Sequence, residues 1–148
     1  MAMTYLLDTN TWIVYLRQTH PATLQKIQQT NPADIRLCSV VLGELYYGAF
    51  HSPASHQAHN LGLLTQLRAS FSSLPFEDQA AVEYGRIRAD LAYRGTPIGP
   101  NDLMIAAIAL AHRLTLVTHN TAEFSRVAGL TLEDWLSPLP GPGGVGPP

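Results

Sequence analysis

The chain has 148 residues, 46% of them hydrophobic and 14% charged, with a net charge of −2. That balance excludes an intrinsically disordered chain and suits one globular domain, large enough to bury roughly two-thirds of its unfolded surface. No apolar run reaches the ~18 residues that span a bilayer, the start lacks the basic and apolar regions of a signal peptide, and the single cysteine, Cys38, excludes an internal disulfide; the expectation is a cytoplasmic protein with no membrane contact.

In chain order, residues 4–7 (TYLL) read as a buried strand ended by Asp8, and about 10–17 as a helix. Pro21 opens a second helix over 21–29. Residues 35–41 begin as a strand, and Ser39 can cap a helix running through 40–50. Residues 51–59 read as a polar break before a helix over 60–69. A short strand over 71–76 has Pro75 near its end, and 77–94 carry an amphipathic helical period closed by Gly95. After a turn at 96–101, Asn101 can cap a helix from Asp102 to Arg113. Residues 115–118 (TLVT) form a compact β-branched strand, a short helix near 121–127 is closed by Gly129, and 130–135 make a last edge strand. Nine of the last twelve residues are Pro or Gly, so 137–148 are expected to be a disordered tail after a domain spanning 1–136.

Strands separated by helices argue for a parallel sheet flanked by helices, with ligands bound beyond the carboxyl ends of the strands. Asp8 falls at such an end, and Asn120 falls two residues past TLVT. Asp8 is also an acid lodged between apolar stretches, and burying a charge is costly unless it is paired, hydrogen-bonded or holding a metal. Two other acids share that setting: Glu44 in SVVLGELYYGAF and Asp102 in GPNDLMIAAIALAHR. Gly48, four residues beyond Glu44 on the same helix face, would let another segment approach closely. Each acid alone has a plainer role: Asp8 as a helix cap, Asp102 as a first-turn acid favoured by the helix dipole, Glu44 as a solvated side chain. If the three converge, they cannot all stay ionised without a cation. No cysteine motif or histidine shares those windows, so all-oxygen ligation selects Mg²⁺ or Mn²⁺, the layout for phosphodiester hydrolysis. Eight of the nine basic residues are arginine, whose planar fork suits phosphate. Arg17, Arg86, Arg88 and Arg94 are the candidate phosphate contacts.

LLDTNTWI, SVVLGELYYG and IGPNDLMIAAIALAHRLTLVTHNTAEFSRVAGLTLEDW, in this order over about residues 4–136, resemble the PIN-domain fold and, more closely, the VapC ribonuclease toxins of VapBC toxin–antitoxin modules. The resemblance implies a three-layer α/β/α sandwich with a mainly parallel sheet. It also implies a Mg²⁺- or Mn²⁺-dependent endoribonuclease site, an RNA substrate, a small VapB-like antitoxin and a homodimer. Carried over, Asp8, Glu44 and Asp102 become the core acids: Asp8 and Asp102 as metal ligands, Glu44 holding a metal-bound water or a second ion. The fourth acidic position of PIN sites here reads Thr118–His119–Asn120. Asn120 brings no charge, and Glu123, three residues on, is the candidate replacement. Thr9 and Thr118 are expected to hydrogen-bond around the site, and Tyr46 and Tyr47 to serve either the core or a dimer face. Three other readings stay open. One is a haloacid-dehalogenase-like phosphatase, which wants a second Asp where Asn10 stands and a lysine that only Lys26 can supply. Another is a zinc site at His51, His56 and His59. The third is a catalytically weak PIN-like RNA-binding module.

Overall fold

A computed structural model describes residues 3–136, so the expected tail at 137–148 lies outside the described residues. Five strands, β1 (Tyr5–Leu7), β2 (Ile35–Cys38), β3 (Ser72–Leu74), β4 (Thr115–Val117) and β5 (Leu132–Glu133), form one sheet in the order β3-β2-β1-β4-β5. Every neighbouring pair is parallel. Parallel neighbours need crossover connections, and helices supply them: α1 (Thr9–Arg17), α2 (Pro21–Gln29), α3 (Ser39–His51), α4 (Ala54–Ser70), α5 (Asp78–Tyr93), α6 (Pro100–Ala111) and α7 (Thr121–Phe124). Right-handed crossovers place α1–α4 on one face and α5–α7 on the other. The packing agrees: α1 meets α2 and α3, α3 meets α4, and α5 lies along α6. The result is the three-layer α/β/α sandwich.

Being covered on both faces explains why the central strands are largely apolar rather than alternating, with Arg36 of β2 and Thr115 of β4 the polar exceptions. Leu6, Leu7, Leu37, Cys38, Leu116 and Val117 are fully buried. The same covering accounts for α6, whose Ile105–Ala109 stretch is buried. Strand order reverses direction at β1: the chain runs outward through β2 and β3, then returns to β4 on the other side. Such a switch point opens a crevice beyond the carboxyl ends of the two strands, here β1 and β4.

Several boundaries differ from the sequence expectation. Residues 51–59 are not a break, since α4 begins at Ala54. Its polar, exposed first turns carry no apolar signal, and its buried residues are only Leu64 and Leu67. Ser39 is the first helical residue and not the cap; Cys38, still paired in the ladder, takes the cap position without a side-chain bond. Asn101 likewise lies inside α6, which starts at Pro100, where a missing N–H costs nothing. The helix expected at 121–127 is the single turn α7, and the last strand is only two residues long. Gly48 receives no close neighbour, because a Cβ there would meet nothing within 4 Å.

Trp12 is the largest fully buried side chain, its ring packed 4.9 Å from Phe71 and 5.7 Å from Tyr15. Its indole N–H has no hydrogen-bond partner among the described residues. Trp12→Ala should lower stability by about 3–5 kcal/mol, the cost of an aromatic-sized cavity. Trp12→Phe should cost far less, because it also removes a buried unpaired donor. Urea unfolding of the two variants checks the contrast; equal losses would count against it.

Candidate active site

The crevice between β1 and β4 collects acids from four helix starts. Asp8 ends β1 with its N–H still donating to the Val117 carbonyl at 3.0 Å. Its side chain caps α1, Oδ1 accepting from the Thr11 N–H at 2.9 Å, and the residue is only 7% exposed. Capping and membership of an acidic site are therefore both true of Asp8. Glu44 sits in the second turn of α3, half-buried, and its Oε1 accepts from the Thr9 hydroxyl at 2.6 Å. Asp102 is the third residue of α6. Glu123 lies in α7, its Oε1 accepting from the Gly99 N–H at 3.1 Å and its Oε2 from the Asn120 amide. Thr118, fully buried at the end of β4, accepts from the Asn120 N–H at 3.0 Å.

These groups meet electrostatically at Asp102. Burial pushes its carboxyl up to about 6, and the charges of Glu123, Glu44 and Asp8, with a hydrogen bond to Glu123, push the same way. Like charges sharing a partly buried site disfavour each other's ionised form. The structure thus brings Asp8, Glu44, Asp102 and Glu123 into one field, and Asn120 contributes an amide that holds Glu123. Among the described residues no three such side chains are close enough to grip one ion together. An all-oxygen donor set of this charge still fits a hard divalent cation, since Mg²⁺ takes one or two carboxylates and keeps several waters.

Other candidates fall elsewhere. Lys26 lies over the Trp135 ring at 5.7 Å, on α2, which leaves the phosphatase reading without its lysine. His51, His56 and His59 form no metal-holding group among the described residues, and His51 stacks on Tyr47. Arg86 pairs with Glu83 at 2.5 Å and Arg94 with Asp90 at 2.7 Å, both along α5. Arg88 lies over the Tyr84 ring at 5.8 Å, and Arg17 borders a groove of α1, α3 and α4. Tyr46 is partly buried against the core. Burial pushes the Cys38 thiol up to about 11, so it offers no thiolate nucleophile.

Sequence reasoning missed the Gly99 N–H, which anchors Glu123. A Cβ at Gly99 would make only ordinary contact, 3.8 Å from Asp102 Oδ2, so the site uses its backbone donor and not its lack of a side chain. No side-chain pattern could have marked that donor.

The Asp102 shift has a stability consequence. Its folded value of about 6 stands above the ordinary 3.8. The folded state therefore holds this proton more tightly, and the stability so gained is full below about 3.8 and lost as pH rises through about 6. In EDTA, Asp102→Asn should match the native chain's thermal midpoint near the bottom of that window and exceed it above. A midpoint difference that does not grow with pH would contradict the raised Asp102 carboxyl that burial and the neighbouring charges produce.

Comparison with known proteins gives the family and the fold. The family model for the PIN domain matches residues 5–130. The tRNA(fMet)-specific endonuclease VapC of Salmonella typhimurium is 38% identical over 131 residues, covering 88% of this chain and 97% of that one. Ribonuclease VapC2 of Rickettsia felis is 37% identical over 137 residues, covering 90% and 98%. Among solved structures, VapBC2 of Rickettsia felis bound to a promoter DNA fragment superposes with a TM-score of 0.83 at 32% identity, over 90% of this chain and 99% of that one. The chain belongs to the PIN-domain family, among the VapC ribonucleases.

Proposed function

We propose that the chain is a Mg²⁺- or Mn²⁺-dependent endoribonuclease, a phosphodiester hydrolase acting in the cytoplasm as the toxin of a type II toxin–antitoxin module. The observation that supports this is the half-buried Asp102 at the head of α6, whose carboxyl is pushed up by burial and by the charges of Glu123, Glu44 and Asp8, with Asp8 itself directly past β1 at the switch point. Asp8 and Asp102 would hold the ion, with Glu44 holding its water or a second ion. When bound, such an ion polarises a phosphate oxygen and lowers the pKa of a water. The chain's own contribution is positioning. Thr9 fixes one oxygen of Glu44, while Gly99 and Asn120 fix Glu123 from both sides. Glu123 thereby returns the negative charge that Asn120 lacks. Single-stranded loops of structured RNA are the substrate class, because their bases are free to be read. The Salmonella relative's name makes initiator tRNA the first substrate to try.

The partner would be a small VapB-like antitoxin, since several solved neighbours are VapBC complexes. An apolar groove of about 140 Å³ runs beside the helix carrying Glu44, lined by Ile13, Leu16, Leu45, Gly48 and Leu64 among others. It suits the apolar face of a partner segment, in the manner of helix-in-groove recognition. An arginine beyond that segment could pair with the acids. A homodimer would be built on the exposed side of α3: of the two tyrosines expected there, Tyr46 packs partly against the core, while Tyr47 is exposed, as is Phe50.

RNA cleavage with Mg²⁺ or Mn²⁺ should stop in EDTA and fall to background in Asp8→Asn. Asparagine keeps the cap on α1, so this variant should melt no lower than the native chain in EDTA. Asp102→Asn should be nearly as damaging. Asn120→Ala should be milder, roughly 10- to 100-fold, the scale of a group that orients a ligand from behind. Normal cleavage by Asp8→Asn in metal-replete buffer would sink the assignment.

Expression of the chain alone should arrest growth, and the product of an adjacent antitoxin gene should relieve it. Gly48→Leu tests the groove. A Cβ at Gly48 would meet nothing within 4 Å, and the rest of the leucine would enter the groove that Gly48 lines, so fold and toxicity should persist while relief by the antitoxin is lost. Full relief of the Gly48→Leu variant would place the partner elsewhere.

A further inference from the structure

Beside the acids lies an open cleft of about 700 Å³, bordered by Thr9, Asn10, Glu44, Tyr47, Asn101 and Met104 among others. Its size falls in the roughly 300–1,000 Å³ range of small-ligand sites. Glu44 and Tyr47 stand three residues apart on α3 and so share a face. Tyr47 is 68% exposed, one of three strongly exposed aromatic side chains among the described residues, with Phe50 and Tyr93, and of the three it is the one that borders this cleft. Its ring is not loose: His51 stacks behind it, centroids 5.4 Å apart and planes 11° from parallel. No lysine or arginine lines the cleft, and Glu44 contributes negative charge to it. Phosphate pairing therefore cannot supply affinity on this side. What the cleft offers is an aromatic face, the thioether of Met104, and the side-chain amides of Asn10 and Asn101, which can donate to and accept from a base edge.

Building on the ribonuclease reading, we propose that this cleft holds one unstacked RNA base, next to the cleaved phosphate, against the ring of Tyr47. A base presents a π-face of any sequence to an aromatic ring, and the two amides then bias which base is kept. Tyr47 on this reading is a specificity and positioning residue. The acids act on the phosphate; Tyr47 fixes which phosphate that is.

The test uses the full chain and a synthetic single-stranded RNA spanning a cleavage point first mapped with the native protein on bulk tRNA. Tyr47→Ala should lower kcat/KM roughly 10- to 100-fold, the range of one lost base–aromatic stack, with an unchanged thermal midpoint because the ring is exposed. Tyr47→Phe should stay within about twofold, since it keeps the π-face. Replacing one nucleotide beside the cleavage point by an abasic one should weaken the native protein by the same factor and leave Tyr47→Ala no worse. An unchanged kcat/KM in Tyr47→Ala overturns the proposal while leaving the nuclease intact. So does an unchanged kcat/KM joined to lost self-association or lost antitoxin binding, which would make the face a protein interface. A native protein that cleaves no RNA overturns the ribonuclease reading and this proposal together.

Discussion

Mutual repulsion among carboxylates is the constraint around which the carboxyl edge of this sheet is organised. Asp102 registers it: burial first, and then the charges of Glu123, Glu44 and Asp8 from three other segments, push its carboxyl up. A fold has no reason of stability to assemble such a cluster, because each added like charge raises the cost of the last. Three of the four, Asp8, Glu44 and Glu123, are instead held in place by neutral donors. The Thr11 N–H holds Asp8, the Thr9 hydroxyl holds Glu44, and the Gly99 N–H with the Asn120 amide holds Glu123. None of these donors brings a positive charge that would satisfy the acids outright. The field is kept negative, and its ordering is supplied by dipoles.

The relation between Asn120 and Glu123 follows from the same constraint. Asn120 carries no charge, and its side-chain amide donates to Glu123, one turn along α7. On the proposed reading Glu123 supplies the acid and Asn120 supports it.

Much of this arrangement was legible in the chain, and the legible part has a physical source. A strand covered on both faces is largely apolar, so an acid that stops it, as Asp8 stops β1, stands out by contrast. Asp102 stands out for the same reason at the head of an almost wholly buried helix. The strand–helix alternation followed from the same runs. Illegible features were those with no apolar contrast. The first turns of α4 lie in solvent, so a polar helix there looked like a loop. Ser39 and Asn101 are good caps by type, but β2 runs straight into α3 and Pro100 opens α6 one residue earlier. Gly99 acts through its backbone, and Tyr47 matters through its exposure; neither property is written in residue type.

Ile13 ties the two surfaces of the α1–α3 face together, since it lines both the apolar groove and the cleft beside Glu44. The groove has Leu16, Leu45 and Leu64 and suits a buried apolar segment; the cleft has Glu44, amides and a lone aromatic face, and suits a polar ligand with one flat apolar side. Because a single side chain divides them, a segment seated in the groove needs only to continue past Ile13 to enter the cleft. On the proposed reading, then, a partner does not have to remodel the acids to silence them. It binds by apolar contact away from the acids, and reaches the negative field with whatever cation its next residues carry, at an effective concentration set by a very short link.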